Sequence, residues 1–329
     1  MSAGPDQVSA HTRTLRSMGR IVTWLLAGVC AVCAVLRFTG LDLPWPGVVL
    51  LAGTPWLIAA SLVASGTAAV TRNRWAAVAA TATMLSVAIL VLPRGWGSTG
   101  HGDGVEFRVM TANLRVGGAD PATIVRLIRD NRVDVVAVQE YTPEAQAGLN
   151  RAGLGTLLPF RIDDAEPLAA GSAIYSRFPL VEGRAPVGPG GFVQATATVE
   201  VPGAVRMAVR SVHPCAPYSP AHQQCWRHGL GQEPRADRDQ SPVRLLMGDF
   251  NATLDHPELR RLIGSGYRDA ADTVGAALQP TWPNDLVPVM TLDHVLADSR
   301  IGVRKVSVHS VPNSDHRALV AVLTLPRSS

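Results

Sequence analysis

Six short polar motifs accompany apolar, strand-like runs between Asn113 and His316. Carboxylate and amide oxygens are the ligands that a hard divalent cation prefers, while histidines and a further aspartate can bind phosphate oxygens and move protons. The residue types therefore indicate metal-assisted hydrolysis of a phosphate ester. In chain order the motifs are Thr-Ala-Asn at 111–113, Val-Gln-Glu at 138–140, Ser-Val-His-Pro at 211–214, Gly-Asp-Phe-Asn at 248–251, Leu-Asp-His at 292–294 and Ser-Asp-His at 314–316.

The apolar runs around these motifs predict a mixture of strands and helices from residue 105 onward. Asp120 and Pro121 form a helix start, as N-cap and first helical residue, and Pro257 opens a short helix that ends near Gly264. Because motifs at the carboxyl ends of strands cluster on one edge of a sheet, we expect all six motifs to meet at one rim. The predicted strands are Phe107–Ala112, Val133–Val138, Ser172–Tyr175, Val193–Val201, Val205–Val212, Arg244–Met247, Thr291–Leu296, Val303–His309 and Ala318–Leu323.

The ordered set of motifs resembles the endonuclease/exonuclease/phosphatase family, from the first strand to the end of the last one. No single motif is decisive, but six in the order of the family make a specific signal. The resemblance implies an α/β fold, a four-layer sandwich of two packed mixed sheets flanked by helices. It also implies in-line attack by water on a phosphate ester with the help of a divalent metal, usually Mg²⁺, with Mn²⁺ or Ca²⁺ as alternatives.

The candidate metal ligands are Glu140, Asn113 and Asp315. Glu140 is the first of them, because a carboxylate directly after a buried strand is a rigid oxygen donor. The resemblance adds Asn113, whose amide would help to position metal or phosphate, and Asp315, as a ligand either directly or through water.

The candidate catalytic residues are His213, Asp249, Asn251, Asp293 and His316. An imidazole on each side of the phosphorus can stabilise charge on the phosphoryl oxygens or pass a proton to the leaving oxygen. The resemblance assigns Asp249 to orienting or deprotonating the attacking water, and Asn251 and His213 to binding the phosphate. It assigns Asp293 to the hydrogen bond that fixes the tautomer of His316.

Two further residues near the motifs are weaker candidates. The segment 171–177 resembles a family segment beside the active site, which makes Arg177 a candidate phosphate contact. His294 follows Asp293 directly, and we expect it to be structural.

Upstream of these motifs lie three apolar segments, Ile21–Leu36, Val48–Val70 and Trp75–Leu92. Each is close to the ~20 residues that cross a bilayer, and tryptophans near their ends suit a membrane interface. We predict three transmembrane helices. The first segment could instead be the apolar region of a signal peptide, and all three could be buried helices of a soluble bundle.

The arginines of this region predict its orientation. They precede the first segment and separate the second from the third, so the positive-inside bias places the N-terminus in the cytoplasm and residue 95 onward outside. The predicted organisation, in the plasma membrane, is a cytoplasmic tail at 1–20, three transmembrane helices at 21–93, a glycine-rich linker at 94–104 and an extracytoplasmic catalytic domain at 105–329.

The four cysteines agree with an exported domain. Cys30 and Cys33 lie inside the first apolar segment, whereas Cys215 and Cys225 lie in a polar stretch, 215–241, that we expect to be a loop. An oxidising compartment favours a disulfide between Cys215 and Cys225. The alternative is a zinc site made of these two cysteines with His222 and His228, although the spacing fits no common zinc pattern.

Three functions remain open on the sequence. The first is a membrane-anchored phosphodiesterase or phosphatase that acts on lipid headgroups or small phosphates. The second is an extracytoplasmic nuclease; seven of the 30 basic residues lie in 1–94, which leaves the rest of the chain nearly neutral and argues against it. The third is a non-catalytic binding module in the membrane. Protein partners are not indicated.

Overall fold

The computed structural model describes residues 5–41, 43–98, 103–236 and 242–328, with side chains from Ser17 onward. It divides the chain into two compact units, one of residues 1–43 and 47–93, the other of residues 44–46 and 94–329. Parts of the predicted tail, linker and loop lie outside the described residues, at 1–4, 99–102 and 237–241.

The first unit is helical. Its helices are α1 Pro5–Thr39, α2 Gly47–Ala52, α3 Leu57–Val70 and α4 Arg74–Val91, with 3-10 turns at Thr54–Trp56 and Leu92–Gly95. Two helical stretches among the described residues are long and apolar enough to cross a membrane, Ser17–Thr39 and Arg74–Gly95. The middle apolar segment is interrupted at Gly53, because Pro55 has no amide hydrogen with which to continue α2. The structure therefore contains two candidate spans where we predicted three, and α1 begins well before Ile21.

The first unit buries both small and larger apolar side chains. Ala27, Ala64 and Ala80 form one buried cluster, Val87 and Val91 belong to another, and the hydroxyl groups of Thr23 and Thr67 are 3.2 Å apart between α1 and α3. Many other large apolar side chains are exposed, for example Leu25 at 65% and Ile89 at 72%. Exposure of so many large apolar residues is unusual for a helical bundle in water.

The described residues of the second unit form twelve strands in two six-stranded sheets. Sheet A has the order β11-β12-β1-β2-β4-β3 and sheet B the order β5-β6-β7-β8-β10-β9. Only β1 with β2 and β7 with β8 are parallel, so both sheets are mixed, as predicted. The strands are β1 Val105–Asn113, β2 Val135–Gln139, β3 Phe160–Asp164, β4 Ser172–Ser176, β5 Leu180–Arg184, β6 Thr196–Val199, β7 Met207–Val212, β8 Val243–Asp249, β9 Tyr267–Asp269, β10 Asp293–Asp298, β11 Gly302–His309 and β12 Ala318–Leu325.

Six helices belong to the described part of the second unit, and three of them cover sheet A. They are α5 Pro121–Asp130, α6 Pro143–Arg151, α7 Leu154–Leu157, α8 Pro220–Gln232, α9 Pro257–Ile263 and α10 Ala270–Thr273. Successive side chains of β1 point to opposite faces of sheet A and so contribute to two different hydrophobic cores. Val109 packs between the sheets, and Met110 packs on the other side, in the cluster of Ile124 and Leu149 from α5 and α6. The layers are those expected from the sequence.

Two predicted helix starts are confirmed, and four described helices, α6, α7, α8 and α10, were missed. The Asp120 carboxylate accepts a hydrogen bond from the Thr123 amide at the start of α5, and α9 begins at Pro257. The predicted loop at 215–241 instead contains α8, capped by Ser219. Its buried face includes polar Gln223 and Gly229, so it lacks an apolar helical period. Strands β3, β5 and β9 were also missed.

The start of the predicted linker belongs to the second unit. Arg94 is 7% exposed and makes two hydrogen bonds, of 2.9 and 2.6 Å, with the two carboxylate oxygens of Asp255. The Ser98 amide donates to the Thr273 carbonyl, and the Cβ position of Gly97 lies 2.2 Å from the Gly275 nitrogen. Only glycine fits at position 97, and residues 94–98 are fixed on the second unit, contrary to the prediction of a flexible linker.

The predicted disulfide joins Cys215 to Cys225, with the two Cα atoms 5.8 Å apart. The zinc alternative is wrong, because its cysteines are bonded to each other. The ring of His222 contacts Tyr218 and Ser219, and that of His228 contacts Gln232. The disulfide joins Cys215, which follows His213-Pro214 directly, to the middle of α8.

We predict that both sulfurs resist alkylation in the unreduced protein and react after reduction, as measured by peptide mass spectrometry. Cys215→Ser with Cys225→Ser should lower the free energy of unfolding by roughly 3 kcal/mol, because the short closed loop no longer restricts the unfolded chain. The control is Cys30→Ser, outside this unit. Free thiols at 215 and 225 in protein from an oxidising compartment would contradict the disulfide.

Candidate active site

All six motifs meet at one edge of the two sheets, some at the ends of strands and others at their starts. Asn113, Glu140, His213 and Asp249 lie at or just after the carboxyl ends of β1, β2, β7 and β8. Asp293, in contrast, opens β10, and His316 precedes β12. Because β10 is antiparallel to β8 and β12 to β1, the starts of these strands reach the same edge.

The amide of Asn113 joins the carboxylates of the two sheets. Its Nδ2 donates to Glu140 Oε1 at 3.0 Å and to Asp249 Oδ2 at 3.1 Å. Its Oδ1 accepts a hydrogen bond from the backbone amide of Arg115 at 2.9 Å. Asn113, predicted as a metal ligand, thus presents its NH₂ group rather than its oxygen to the centre, and it orients the carboxylates instead.

A second polar contact fastens the sheets beneath the site. Gln139 Nε2 donates to the Ser211 hydroxyl at 2.9 Å, and Gln139 Oε1 accepts from the Thr111 hydroxyl at 3.2 Å. All three side chains are fully buried. Gln139 and Ser211 were not predicted as site residues, although their position one or two residues before Glu140 and His213 was the available signal.

Two site residues have a left-handed backbone conformation, which sets the direction of their side chains. Glu140 has φ of 53° and Asn251 has φ of 48°. Asparagine tolerates this region, but for glutamate it costs on the order of 1 kcal/mol, which hydrogen bonds must offset. Glu140 Oε2 accepts from the Val116 amide at 2.7 Å, a contact that holds the carboxylate in place.

The glycine before Asp249 allows close approach of the backbone. A Cβ at Gly248 would lie 2.0 Å from the Val212 carbonyl oxygen on β7. Asp249 is 2% exposed, and its Oδ1 accepts from the Asn251 amide at 2.8 Å. Asn251 Nδ2 in turn donates to the Pro214 carbonyl, so this side chain lies beside the His213-Pro214 motif.

His316 and Asp293 form the predicted pair. The His316 Nδ1 atom is 2.9 Å from Asp293 Oδ2, and Nε2 is 3.5 Å from Asp249 Oδ2. Burial alone would lower the pKa of His316, but the charges of Asp293 and Asp249 raise it to about 10. The ring is therefore an imidazolium at neutral pH, held between two carboxylates.

His213 and Asp249 are shifted mainly by burial. His213 Nε2 lies 3.8 Å from Glu140 Oε1 and 3.9 Å from Asp249 Oδ2, and Phe192 packs edge-on against the ring at 5.0 Å. Burial lowers the pKa of His213, which keeps this ring neutral. Burial also raises the pKa of Asp249, with partial compensation by His316 and His213, and so increases its basicity toward water.

His294 is structural, as expected. Its two ring nitrogens face acceptors, Asp269 Oδ2 at 2.8 Å and the Ala252 carbonyl at 2.9 Å, which requires a proton on each nitrogen. Burial alone would lower the pKa of His294, but the hydrogen bond and charge of Asp269 raise it. His294 thereby supports the loop that follows Asn251.

Arg177 is not part of the site, which corrects the predicted phosphate contact. It follows the end of β4 that pairs with Val135, whereas the site lies at the other end, where Ser172 pairs with Gln139. Its guanidinium binds Asp134 at 3.1 Å and the Val133 carbonyl. The exposed cation near the site is Arg115, two residues after Asn113, whose Nε lies 3.9 Å from Asp315 Oδ1.

The donor set fits a hard divalent cation at Glu140. Glu140 presents a carboxylate with an exposed fraction of 18%, and Mg²⁺ commonly takes one or two protein carboxylates, with water and substrate phosphate completing its shell. Asp315 lies beside Arg115 and Trp282, and its role as a ligand stays a prediction. A second group of possible ligands among the described residues is Asp249, Asp293 and His316, whose ligand atoms all lie within 4.8 Å of one another.

The arrangement can hydrolyse a phosphate ester. A cation at Glu140 would supply Lewis-acid stabilisation of charge on phosphoryl oxygens. Asp249 can orient a water molecule and accept its proton, since Asn113 and Asn251 hold both carboxylate oxygens. The imidazolium of His316, the neutral ring of His213 and the amide of Asn251 can donate to phosphoryl oxygens from fixed positions.

Two packed mixed sheets with this rim of Asn, Glu, Asp and His define a metal-dependent phosphoesterase. The model of the Endonuclease/Exonuclease/phosphatase family matches residues 110–316, and the chain belongs to this family. It is a metal-dependent phosphoric ester hydrolase. No curated protein matches the chain.

Solved structures share the fold. An endonuclease/exonuclease/phosphatase from Beutenbergia cavernae is 20% identical, with a TM-score of 0.52 over 67% of this chain and 72% of that one. The 3' phosphatase NExo from Neisseria, bound to a product DNA hairpin, is 17% identical, with a TM-score of 0.51 over 65% and 98%. D. rerio TDP2, complexed with a single-strand DNA product, is 16% identical, with a TM-score of 0.52 over 67% and 99%.

We predict that Glu140→Gln and His316→Gln each lower metal-dependent hydrolysis of bis(p-nitrophenyl) phosphate by about 100-fold or more, because each removes a charge that faces the reacting phosphate. The matched controls are Glu144→Gln and His228→Gln, whose side chains are exposed elsewhere. Full activity in either site variant, with an unchanged melting temperature, would refute the assignment.

We also predict a pH-dependent contribution of His294 to stability. Because its folded pKa is raised, the contribution is fully present below the unfolded value of about 6.5 and is lost as the pH rises through the folded value. Urea titrations at several pH values should show this loss in the wild type and not in His294→Gln. The exposed control His228→Gln should follow the wild type, and an identical pH profile for His294→Gln would contradict the charged ring.

Proposed function

We propose that this chain is a membrane-anchored phosphoesterase that hydrolyses lipid headgroups or other small extracytoplasmic phosphate esters, with Mg²⁺ as its metal. The observation that carries the proposal is the composition of the loops around the site. Exposed apolar side chains are common on them, and basic side chains are scarce.

The apolar rim consists of six exposed side chains on loops next to the site. They range from 49% exposed for Val116 to 76% for Val287, and the full set is Val116, Leu168, Val187, Tyr218, Leu286 and Val287. Large exposed apolar residues gathered around one site favour a lipid or apolar partner.

The loops that bear the apolar rim are tied to the site residues. Val116 donates its amide to Glu140, and the Asn284 amide, two residues before Leu286, donates to the Asp315 carbonyl. Phe192, on the loop of Val187, contacts the ring of His213. These contacts attach the loops of Val116, Val187 and Leu286-Val287 to site residues.

Basic residues on the same loops are too few for a nucleic-acid groove. Arg115 is the exposed one among the described residues at 114–120, 165–171, 185–194, 213–219, 250–256 and 279–292, and it pairs with Asp285 at 3.2 Å. Binding of a nucleic-acid backbone depends on several phosphate contacts from Lys or Arg. This shortage favours a small or lipid-borne phosphate.

The packing of the first unit supports the anchor. Only 33% and 28% of the two candidate spans are buried, which is low for core helices of a soluble protein. Many large apolar side chains of this unit are exposed, and one of its buried helix contacts is made by alanines, as in helices that pack within lipid. With the positive-inside bias, we infer a multi-pass protein of the plasma membrane, with a cytoplasmic N-terminus and an extracytoplasmic catalytic unit.

A nuclease is the second candidate, since two of the similar structures hold DNA. Likeness at their level of identity extends to the fold, and the substrate does not follow from it. In this chain a nucleic-acid substrate would have to bind across an apolar rim with one exposed arginine.

The test is a substrate panel with the full chain in detergent and Mg²⁺. Phosphoinositide or sphingomyelin vesicles should be hydrolysed at least about tenfold faster than single-stranded or plasmid DNA, since the rim provides apolar contact and few phosphate contacts. The triple variant Leu168→Ser, Leu286→Ser, Val287→Ser should lose activity on vesicles and keep activity on bis(p-nitrophenyl) phosphate.

The matched control is Phe160→Ser, an exposed apolar residue that pairs with Ser176 at the opposite end of sheet A. Faster hydrolysis of DNA than of any lipid or small ester would reject the proposed substrate class. Recovery of the full chain in the soluble fraction without detergent would reject the anchor.

A further inference from the structure

The first unit contains a cavity of about 800 Å³ between the start of the apolar part of α1 and the turn that joins α3 to α4. Its polar side chains are Ser17, Arg20, Arg72, Asn73 and Arg74. We call it the arginine groove. Three guanidinium groups from two separate chain segments thus face one space, and no carboxylate contributes to its walls.

Acidic residues are scarce in this part of the sequence. The first 94 residues contain two acids, Asp6 and Asp42, and seven arginines. Arg20, Arg72 and Arg74 are exposed, and like charges gathered on one surface attract an anion from outside the chain.

The other wall of the arginine groove is apolar. It is formed by Ile21, Trp24 and Leu25 from α1 and by Trp75 from α4. On α1, Ser17, Ile21 and Trp24 lie on one face at helical spacing, so the groove changes from polar to apolar along the helix. Trp24 is 46% exposed and Trp75 is 64% exposed, and the Arg74 guanidinium stacks over the Trp75 ring at 5.4 Å.

An amphipathic groove of this kind matches an amphipathic anion. Arginine binds phosphate through parallel hydrogen bonds, and indole rings with aliphatic side chains contact the glycerol and the first acyl carbons of a lipid. We propose that the arginine groove is a binding site for the phosphate of an anionic phospholipid, separate from the catalytic unit. The site rests on the proposed membrane location of the first unit and is independent of the substrate that the catalytic unit hydrolyses.

The experiment uses the full chain, purified in a neutral detergent and stripped of native lipid. The thermal midpoint of the first unit is followed by circular dichroism while phosphatidylglycerol, phosphatidylcholine or inorganic phosphate is added. Phosphatidylglycerol should raise the midpoint in a saturable manner, because ligand binding to the folded state stabilises it. Phosphatidylcholine should have little effect, since its headgroup has no net charge.

The test variant is Arg20→Gln with Arg72→Gln and Arg74→Gln. It should need at least about tenfold more phosphatidylglycerol for the same shift, because it loses up to three charged hydrogen-bond donors. The matched control removes three exposed arginines of the second unit, Arg129→Gln, Arg151→Gln and Arg184→Gln, and should respond like the wild type.

Each alternative result decides the proposal. An equal response of the triple variant and the wild type would overturn the site. A shift with inorganic phosphate as large as that with phosphatidylglycerol would overturn the lipid assignment in favour of a free phosphate ion. Hydrolysis of bis(p-nitrophenyl) phosphate by the triple variant should be unchanged, which separates this site from failure of the catalytic assignment.

Discussion

One side chain, the amide of Asn113, carries the contact on which the active site depends. Glu140 extends from sheet A and Asp249 from sheet B, and two carboxylates at this distance would repel each other in a buried site. The NH₂ group of Asn113 donates to both, which fixes their separation. The two histidines of the site also offset the charge of these carboxylates. His316 lies as a cation between Asp249 and Asp293, and neutral His213 fills the opposite side. The active site therefore forms only where the edges of the two sheets meet.

The sequence was informative where residue type and strand position coincide. Carboxylates, amides and histidines next to apolar runs indicated the rim, because strand ends in a layered fold meet at shared edges. Prediction from the sequence failed where the direction of a strand or the orientation of an amide decides which atoms reach the site. Arg177 lies in a stretch that resembles a family segment, but β4 runs away from the site, so its last residue lies at the far end of the sheet. Residue type also suggested Asn113 as an oxygen ligand, and which end of the amide faces inward depends on the backbone amide of Arg115.

Helices were predicted well at their starts and poorly along their length. Asp120-Pro121 and Pro257 provide local signals that do not depend on tertiary packing. Helix α8 has a comparable Ser219-Pro220 start, but its buried residues alternate between Gln223 or Gly229 and the apolar Trp226 and Leu230, so the apolar period is too short to mark it. The left-handed backbone at Glu140 was equally invisible, because no local rule places glutamate there. The middle apolar segment was read as one span by composition alone, and Pro55 divides it.

The disulfide attaches a chain segment that carries a catalytic residue to helix α8. His213 and Pro214 precede Cys215 directly, and the bond fixes this segment to α8, whose Trp226 donates its indole hydrogen to the Phe250 carbonyl beside Asp249. Oxidation thus links two of the chain segments that carry catalytic residues. Protein made where thiols stay reduced would lack this covalent attachment, and its His213 segment would be held to α8 by packing alone.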